Sequence, residues 1–270
     1  MRFFTRHSSF VTRRWVILLL FLTGVALVFW LWPRDDGSLA AIQRRGTLRV
    51  GLDASFPPFE VVNADGRIVG LDVDLARIIA ADLGVEAELV NIGFDGLYDA
   101  LLARRVDLVL SGLPYDPRWT QDVAYTQNYF NAGQALLTRA DESAIAVPAD
   151  LAGRTVAVEW GSQADMEARR LPAEPVAVTI ERHATAAEAL ATLLAGQADA
   201  AIVDGVTAVE AEAQGAVIVT WLTDEWYAGA VHIESTALLK QVNQTLIRLR
   251  ENGDLARLQE QWLHDNSQSR

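Results

Sequence analysis

The sequence contains no cysteine and a single lysine. The absence of cysteine excludes a disulfide framework, and it also excludes membrane attachment through a lipid on an N-terminal cysteine. All but one of the 23 basic residues are arginine, and the exception is Lys240. The chain also lacks a P-loop, a Cys/His metal-ligand spacing and a Gly-x-Ser-x-Gly nucleophile turn. We therefore predict neither a metal nor an organic cofactor.

Acidic residues are absent from the N-terminus, where the first is Asp35. Residues 15–32 contain no charge, and this length is just sufficient for a helix that crosses a bilayer. Four arginines precede this segment, so the positive-inside rule places residues 1–14 in the cytoplasm and the later chain outside the cell membrane. We predict a transmembrane anchor over 15–32 and a linker over 33–44. The alternative is a signal peptide that is cleaved on export, leaving a periplasmic protein.

Negative charge dominates the chain after this segment. The net charge of the whole sequence is −12, and the first 32 residues carry +4, so the remainder carries −16. A domain this acidic is repelled by nucleic acid and by anionic lipid headgroups. We therefore expect no nucleic-acid binding, a membrane contact only through the N-terminal helix, and a monomeric protein.

Short apolar runs alternate with amphipathic segments along most of the sequence. This alternation favours parallel sheets covered by helices, which is an α/β fold. Thr185 and Glu188 have capping-box spacing at the start of one predicted helix. The pattern also predicts a strand at 176–180, a returning strand at 226–232, and terminal helices at 235–251 and 254–264.

The most specific motif lies in residues 48–75, which read as a strand, a loop with two prolines, a turn and a helix that Asp72 is predicted to cap. A Gly-x-Asp-x-x-x-x-Pro-Phe-Glu block is formed by Gly51, Asp53, Pro58, Phe59 and Glu60. A Gly-Leu-Asp-Val-Asp-Leu block follows at 70–75. At this spacing the two blocks resemble the opening of the bacterial extracellular solute-binding proteins of family 3, the polar amino-acid binders of ABC importers.

The resemblance covers the chain from about residue 45 to about residue 264. It implies an α/β fold with two lobes, a periplasmic-binding-protein-like clamshell of type II, preceded here by the transmembrane helix. Lobe 1 is expected over residues 45–136 and 230–266, and lobe 2 over residues 137–229. Ligands of such sheets lie beyond the C-terminal ends of the strands.

The resemblance also implies how lobe 2 binds the backbone groups of an amino acid. An acid matching Asp204 binds the α-ammonium group, and a pair matching Gly161 and Ser162 donates to the carboxylate from a helix N-terminus. The alternative for Asp204 is a helix N-cap.

Aromatic residues matching Phe56 and Phe94 enclose the ligand side chain in similar proteins, and an acid matching Asp53 meets a basic side chain. The alternative for the two phenylalanines is ordinary packing within the lobe. The full set of expected ligand contacts is Asp53, Phe56, Phe94, Ser111, Gly112, Arg118, Trp119, Trp160, Gly161, Ser162 and Asp204.

The loop at residues 111–122 departs from the family pattern Ser-Gly-Met-Thr-x-Thr-Pro-Glu-Arg, in which a Thr and the Arg hold the carboxylate. Pro114 and Trp119 occupy those positions here, and Arg118 comes one residue early. Either the loop shifts so that Arg118 reaches the ligand, or the carboxylate clamp is lost and Trp119 and Trp160 become walls for a cationic ligand. The plainer alternative leaves Arg118 on the surface and packs each tryptophan against its own lobe.

These features predict a membrane-tethered, extracytoplasmic binding protein that delivers a small polar solute, an amino acid or related amine, to the permease subunits of an ABC importer. The expected mechanism is hinge closure, and no enzymatic activity is expected. Two alternatives stay open. One is a ligand-sensing adaptor for a membrane partner, and the other is a cyclohexadienyl-dehydratase-like enzyme with Glu60 or Glu159 as general acid.

Overall fold

The computed structural model describes residues 36–171 and 176–264. The predicted cytoplasmic segment at 1–14 and the predicted transmembrane helix at 15–32 lie outside the described residues. Within the described ranges, no helix is long and apolar enough to cross a membrane.

Strands and helices alternate through the described residues, as the sequence pattern predicts. In chain order the strands are β1 (Thr47–Leu52), β2 (Ser55–Phe56), β3 (Glu60–Val62), β4 (Ile68–Val69), β5 (Glu86–Asn91), β6 (Leu108–Val109), β7 (Val123–Asn131), β8 (Gln134–Arg139), β9 (Thr155–Glu159), β10 (Thr179–His183), β11 (Ala200–Asp204), β12 (Ala216–Trp221) and β13 (Trp226–His232). The α-helices are α1 (Ser38–Arg45), α2 (Leu71–Asp82), α3 (Leu97–Leu102), α4 (Gln163–Ala168), α5 (Ala186–Leu194), α6 (Gly205–Ala213), α7 (Thr236–Glu251) and α8 (Asp254–His264). Turns of 3-10 helix occur at Phe94–Gly96, Pro117–Trp119 and Pro148–Leu151.

Lobe 1 is built on a five-stranded sheet in the order β5-β1-β6-β13-β7. β1 pairs in parallel with β5 and β6, whereas β13 runs antiparallel to β6 and β7. Helices α2, α7 and α8 share one core cluster with Leu108, and α3 shares another with Val109. Because neighbouring residues of a strand point to opposite faces, helices cover both faces of this sheet.

Lobe 2 is built on a second five-stranded sheet in the order β10-β9-β11-β8-β12. β9 pairs in parallel with β10 and β11, and β8 runs antiparallel to β11 and β12. Ala201 of β11 belongs to a cluster with α5 and α6, and Ile202 belongs to one with α4. The two sheets therefore have the same arrangement. In lobe 1 the antiparallel strand β13 lies between β6 and β7, and in lobe 2 the antiparallel strand β8 lies between β11 and β12.

The chain crosses between the sheets twice, from β7 to β8 and from β12 to β13. The two crossovers are hydrogen-bonded to each other. The side-chain oxygen of Asn131 accepts from the N–H groups of Gly133 and Glu225, both at 3.0 Å. The N–H of Leu222 donates to the carbonyl of Gln134 at 2.7 Å. These bonds make the crossovers a double-stranded hinge.

The lobe boundaries differ from those predicted from the sequence. The expected divisions, after residues 136 and 229, fall inside β8 and β13. Each of these strands begins at a crossover and lies wholly within one sheet, so the chain changes lobe near residue 133 and again at 222–225.

Two local predictions are corrected by the structure. Asp72 does not cap its helix, because the N-cap position is Gly70 and Asp72 lies inside the first turn with a fully buried side chain. The strand expected at 176–180 is observed at Thr179–His183, and β12 was not expected at all. Most residues of β12 are only half-buried, so their pattern lacks a clear alternation.

Replacing Gly133 with alanine is expected to destabilise the fold at the crossovers. A Cβ atom here would lie 2.1 Å from the carbonyl oxygen of Thr223, so the crossovers would have to separate. Overpacking of this kind costs about 1–3 kcal/mol of unfolding free energy, which lowers Tm by several degrees. Thermal melting checks this, with Gly93→Ala as the control because a Cβ there meets nothing within 4 Å. Equal melting temperatures for the two variants would contradict the prediction.

Candidate functional site

The C-terminal ends of the parallel strands lie beside the crossovers in both lobes. In lobe 1, the loop after β6 contacts the start of β13, where the N–H of Tyr115 donates to the carbonyl of Trp226 at 3.0 Å. In lobe 2, Asp204 at the end of β11 is paired with Gln134 at the start of β8. Because β8 and β13 both begin at a crossover, the strand ends of both lobes border the same hinge. This is the edge at which open α/β sheets bind ligands.

Lobe 1 contains a cavity of about 450 Å³ between the loops that follow β5 and β6. Tyr98 and Trp119 form part of its wall, and their rings stack at a centroid distance of 4.4 Å. Trp119 also packs against the core of lobe 1, so it combines the two roles that the sequence left open. Phe94, which is 44% exposed, and the acidic side chains of Asp95 and Asp116 also line this cavity.

The guanidinium group of Arg118 is bound to its own loop. Its Nη2 and Nε atoms lie 2.6 and 2.9 Å from Oδ2 of Asp116, and the side chain is 85% exposed. Hydrogen bonds from Arg118 hold the pKa of Asp116 below its usual value. Arg118 therefore lies on the surface, which is the plainer alternative that the sequence analysis gave for this residue.

Asp53 joins the loop after β1 to the loop after β5. Its Oδ2 accepts from the N–H of Phe94 at 2.9 Å, and its Oδ1 accepts from the hydroxyl of Ser55 at 2.7 Å. The carboxylate of Asp53 thus fixes the backbone that carries Phe94.

A cluster of aromatic side chains, formed by Phe56, Phe59 and Tyr227, lies near these loops. Phe56 is 43% exposed and stacks on the buried Phe59 with a centroid distance of 5.3 Å. Tyr227, at the start of β13, lies 6.5 Å from the ring of Phe56. Burial, together with nearby carboxylates that include Asp204 of lobe 2, raises the pKa of Tyr227 well above its usual value.

Two buried carboxyl groups belong to the same part of lobe 1 as this aromatic cluster. Glu60 and Asp72 are both fully inaccessible to solvent. Oε1 of Glu60 accepts from the hydroxyl of Ser111 at 2.7 Å. Oδ2 of Asp72 accepts from the N–H of Gly112 at 2.6 Å and from the hydroxyl of Tyr129 at 2.8 Å. Ser111 and Gly112, both expected to contact a ligand, thus have partners inside lobe 1.

Both buried carboxyl groups have raised pKa values. Burial and the neighbouring charge of Asp72 raise the pKa of Glu60 to about 10, and burial raises the pKa of Asp72. Oε2 of Glu60 and Oδ1 of Asp72 have no hydrogen-bond partner among the described residues. Glu60 is inaccessible to any substrate, which removes it as a general acid for the enzyme alternative.

Lobe 2 contains a cavity of about 230 Å³ at the ends of β9 and β11. Its polar lining consists of the side chains of Gln134, Glu159, Ser162, Gln163 and Asp204. The carboxylate of Glu159 is half-buried. The cavity is therefore acidic, and none of the described residues that line it is basic.

Asp204 and Ser162 also cap helices. Oδ1 of Asp204 accepts from the N–H groups of Val206 and Thr207, at 2.9 and 3.0 Å. The hydroxyl of Ser162 accepts from the N–H of Asp165 and donates to the carbonyl of Glu159. Asp204 is thus the N-cap that the sequence allowed as an alternative, and it borders the cavity at the same time.

The remaining two predicted residues lie in the turn between β9 and α4. Gly161 has a φ of +75°, and its N–H donates to the buried carboxylate of Asp165 at 3.2 Å. Trp160 is 75% exposed. Most of its surface is therefore not packed against the described residues of lobe 2, which was the alternative that the sequence allowed.

Several cavity residues were not expected from the sequence as ligand contacts. They are Tyr98, Tyr115, Asp95, Gln134, Gln163 and Glu159. Most lie within a turn of a predicted strand end, so a search of every strand end for polar and aromatic side chains would have included them. Tyr227 is different, because it reaches the site from the strand that returns from lobe 2.

The family model for bacterial extracellular solute-binding proteins, family 3, matches residues 48–265. The chain belongs to this family. Among its relatives, an L-arginine-binding protein of Pseudomonas aeruginosa is 30% identical over 228 residues, which cover 80% of this chain and 87% of the relative. The L-cystine-binding protein TcyJ of Escherichia coli is 28% identical over 233 residues, which cover 84% and 86%.

Two solved structures of solute-binding proteins are similar to this chain in sequence and in fold. An ancestral cationic amino acid solute-binding protein has a TM-score of 0.61 and 31% identity, with 84% of this chain and 99% of that chain covered. A mutant of ArgBP from T. maritima has a TM-score of 0.52 and 37% identity, with 84% and 100% covered.

The variant Glu60→Gln is expected to flatten the pH dependence of stability. Glu60 has a raised pKa in the folded protein, so above its ordinary value of 4.5 the folded state holds a proton that the unfolded state releases. The free energy of unfolding then falls as the pH rises, by at most about 1.4 kcal/mol per pH unit. Glutamine mimics the protonated acid and cannot titrate, so this slope is lost.

Urea denaturation of the wild type and Glu60→Gln between pH 5 and pH 8 measures the slope. Glu88→Gln, a change at an exposed glutamate on β5, is the matched control and keeps the wild-type slope. A slope that is identical in all three proteins would contradict the raised pKa of Glu60.

Proposed function

We propose that this chain is the substrate-binding protein of an ABC importer and that it binds a small polar solute, an amino acid or related amine, between its lobes. The supporting observation is a pair of half-sites. Each cavity is lined by residues of one lobe only, and each lies at the strand ends beside the crossovers. A ligand that contacts both half-sites stabilises the closed arrangement, because it binds that arrangement more tightly than the open one.

The lining of the half-sites supports a ligand with at least one positively charged group. Exposed aromatic rings in lobe 1 and the carboxylates of Glu159 and Asp204 in lobe 2 both attract cations. The relative from Pseudomonas aeruginosa binds arginine, and the ancestral protein is described as a binder of cationic amino acids. A solute of that charge is the simplest ligand for this lining.

We also propose that residues 15–32 anchor the protein in the cell membrane with the two lobes on the extracytoplasmic side, and that the closed lobes dock on the permease. The support is the uncharged length of this segment and the arginines before it. An anchored binding protein remains close to its permease without depending on diffusion.

We propose binding without turnover. Of the two acids that the enzyme alternative considered, only Glu159 is accessible to a substrate, since Glu60 is fully buried. The relatives named above are binding proteins. A sensing role remains compatible with the same hinge closure, and it is separated from import by whether uptake of the ligand requires this protein.

Variants in either lobe are expected to weaken binding, because the ligand contacts both. Phe94→Ala removes an exposed ring from lobe 1, and Asp204→Asn removes a charge from lobe 2 while keeping an N-cap. Each change is expected to raise Kd by about 10-fold or more, since cation–π contacts and hydrogen bonds to charged groups are each worth about 1.5–3 kcal/mol when desolvated. Titration calorimetry with the ligand found by screening pools of amino acids and amines measures Kd.

Two matched controls accompany these variants. Ile247→Ala truncates an apolar side chain of similar exposure on α7, and Asp199→Asn makes the same charge change just before the opposite end of β11. Both are expected to keep the wild-type Kd. If only the variants of one lobe weaken binding, the ligand does not bridge the lobes and the proposed closure is wrong.

The full chain is expected in the membrane fraction, where it should resist extraction by alkaline carbonate. A buried apolar helix holds it there, whereas ionic attachment would be reversed by high salt. Fractionation and intact mass of the recovered protein provide the measurement. A soluble protein that has lost its N-terminal residues would instead support the cleaved signal peptide.

A further inference from the structure

We propose that the ligand is a dication with one amine or guanidine group for each lobe and no carboxylate. This inference rests on the proposed function and specifies its substrate class. It follows from which polar groups of the two half-sites already have partners and which have none.

The groups that would hold a carboxylate are already bonded within the protein. Among the described residues, Arg118 is the one basic side chain that lines either cavity, and its guanidinium is bound to Asp116. In lobe 2, the N–H of Gly161 donates to Asp165, and the N–H of Ser162 is directed to the carbonyl of Glu159.

The same holds for the loop after β6, where the N–H of Gly112 donates to Asp72 and the hydroxyl of Ser111 donates to Glu60. A carboxylate entering either half-site would therefore lose its hydration without gaining a cationic partner.

The groups that would hold a cation are unpaired. Asp95 in the lobe 1 cavity and Glu159 in the lobe 2 cavity have no side-chain hydrogen bond or ion pair within the described ranges. Asp204 adds negative charge to the lobe 2 cavity, whereas the charge of Asp116 in lobe 1 is paired with Arg118. One unpaired carboxylate in each lobe matches a ligand with a positive group at each end.

The wall of the lobe 1 cavity suits the apolar part and the charge of such a ligand. Phe94 and Tyr115 both expose a large part of their rings, and Trp119 is held in the wall by its stacking on Tyr98. Aromatic faces attract ammonium and guanidinium groups, and they contact methylene chains without requiring hydrogen bonds. Of the described residues in this wall, Arg118 alone carries a positive charge that could attract an anion.

Three matched pairs of compounds test the inference, because each pair differs only by one carboxylate. They are arginine and agmatine, ornithine and putrescine, and lysine and cadaverine. Titration calorimetry of the full chain in detergent is expected to give at least a 10-fold lower Kd for the decarboxylated member of the pair that fits best. Binding of the amino acid as tightly as, or more tightly than, its decarboxylated partner would overturn the inference and leave the proposed function intact. Absence of binding to any of the six, and to broader pools of amino acids and amines, would overturn both.

Two variants locate the charged ends of the ligand. Asp95→Asn and Glu159→Gln are each expected to raise the Kd of the decarboxylated ligand at least 10-fold, with an unchanged melting temperature of the ligand-free protein. Asp99→Asn is the matched control, since Asp99 is an exposed acid one helical turn away that does not line the cavity. A loss confined to one of the two acids would overturn the two-ended arrangement.

Arg118→Ala is the remaining test. We expect it to leave the ratio of the two Kd values within each pair unchanged. If it weakens only the amino acid, Arg118 moves inward to hold the carboxylate and the inference is wrong.

Discussion

The buried carboxyl pair of Glu60 and Asp72 is the interaction on which the cleft side of lobe 1 depends. Between them, the two groups bind the loop after β6 through Ser111 and Gly112, and β7 through Tyr129. Two desolvated carboxylates would repel each other strongly, so the arrangement favours a protonated Glu60, whose pKa is raised, and it needs the hydrogen-bond donors just named. The motif that identifies the family is thus, at these two positions, a structural network beneath the ligand site.

Much of the fold could be predicted from the sequence, because its signals are local. Apolar runs at strand spacing and amphipathic stretches at helical spacing identified most elements, and Thr185 caps α5 as its spacing predicts. β12 and the start of β10 were missed because their half-exposed residues carry no such period. The crossovers were misplaced by a few residues, since strands β8 and β13 continue the pattern of the sheet that they join.

The location of the site was also accessible from the sequence, but the roles of its residues were not. Strand ends indicate where side chains gather, and Phe94, Trp119 and Asp204 all line the cavities at the strand ends. Whether a polar group remains available is decided by partners far away in the sequence. Ser111 bonds to Glu60, which lies 51 residues earlier, and no local pattern reports that contact.

The position of β13 has a consequence for how the chain becomes a folded protein. This strand lies between β6 and β7 in the sheet of lobe 1, yet the ribosome synthesises it after all the strands of lobe 2. In a chain that emerges N-terminus first, lobe 2 has all its strands once β12 is complete, while β6 and β7 still present unpaired backbone edges. Lobe 2 can therefore fold while lobe 1 is still incomplete. A chain arrested before Trp226 would contain all five strands of the lobe 2 sheet, but the lobe 1 sheet would lack its strand between β6 and β7.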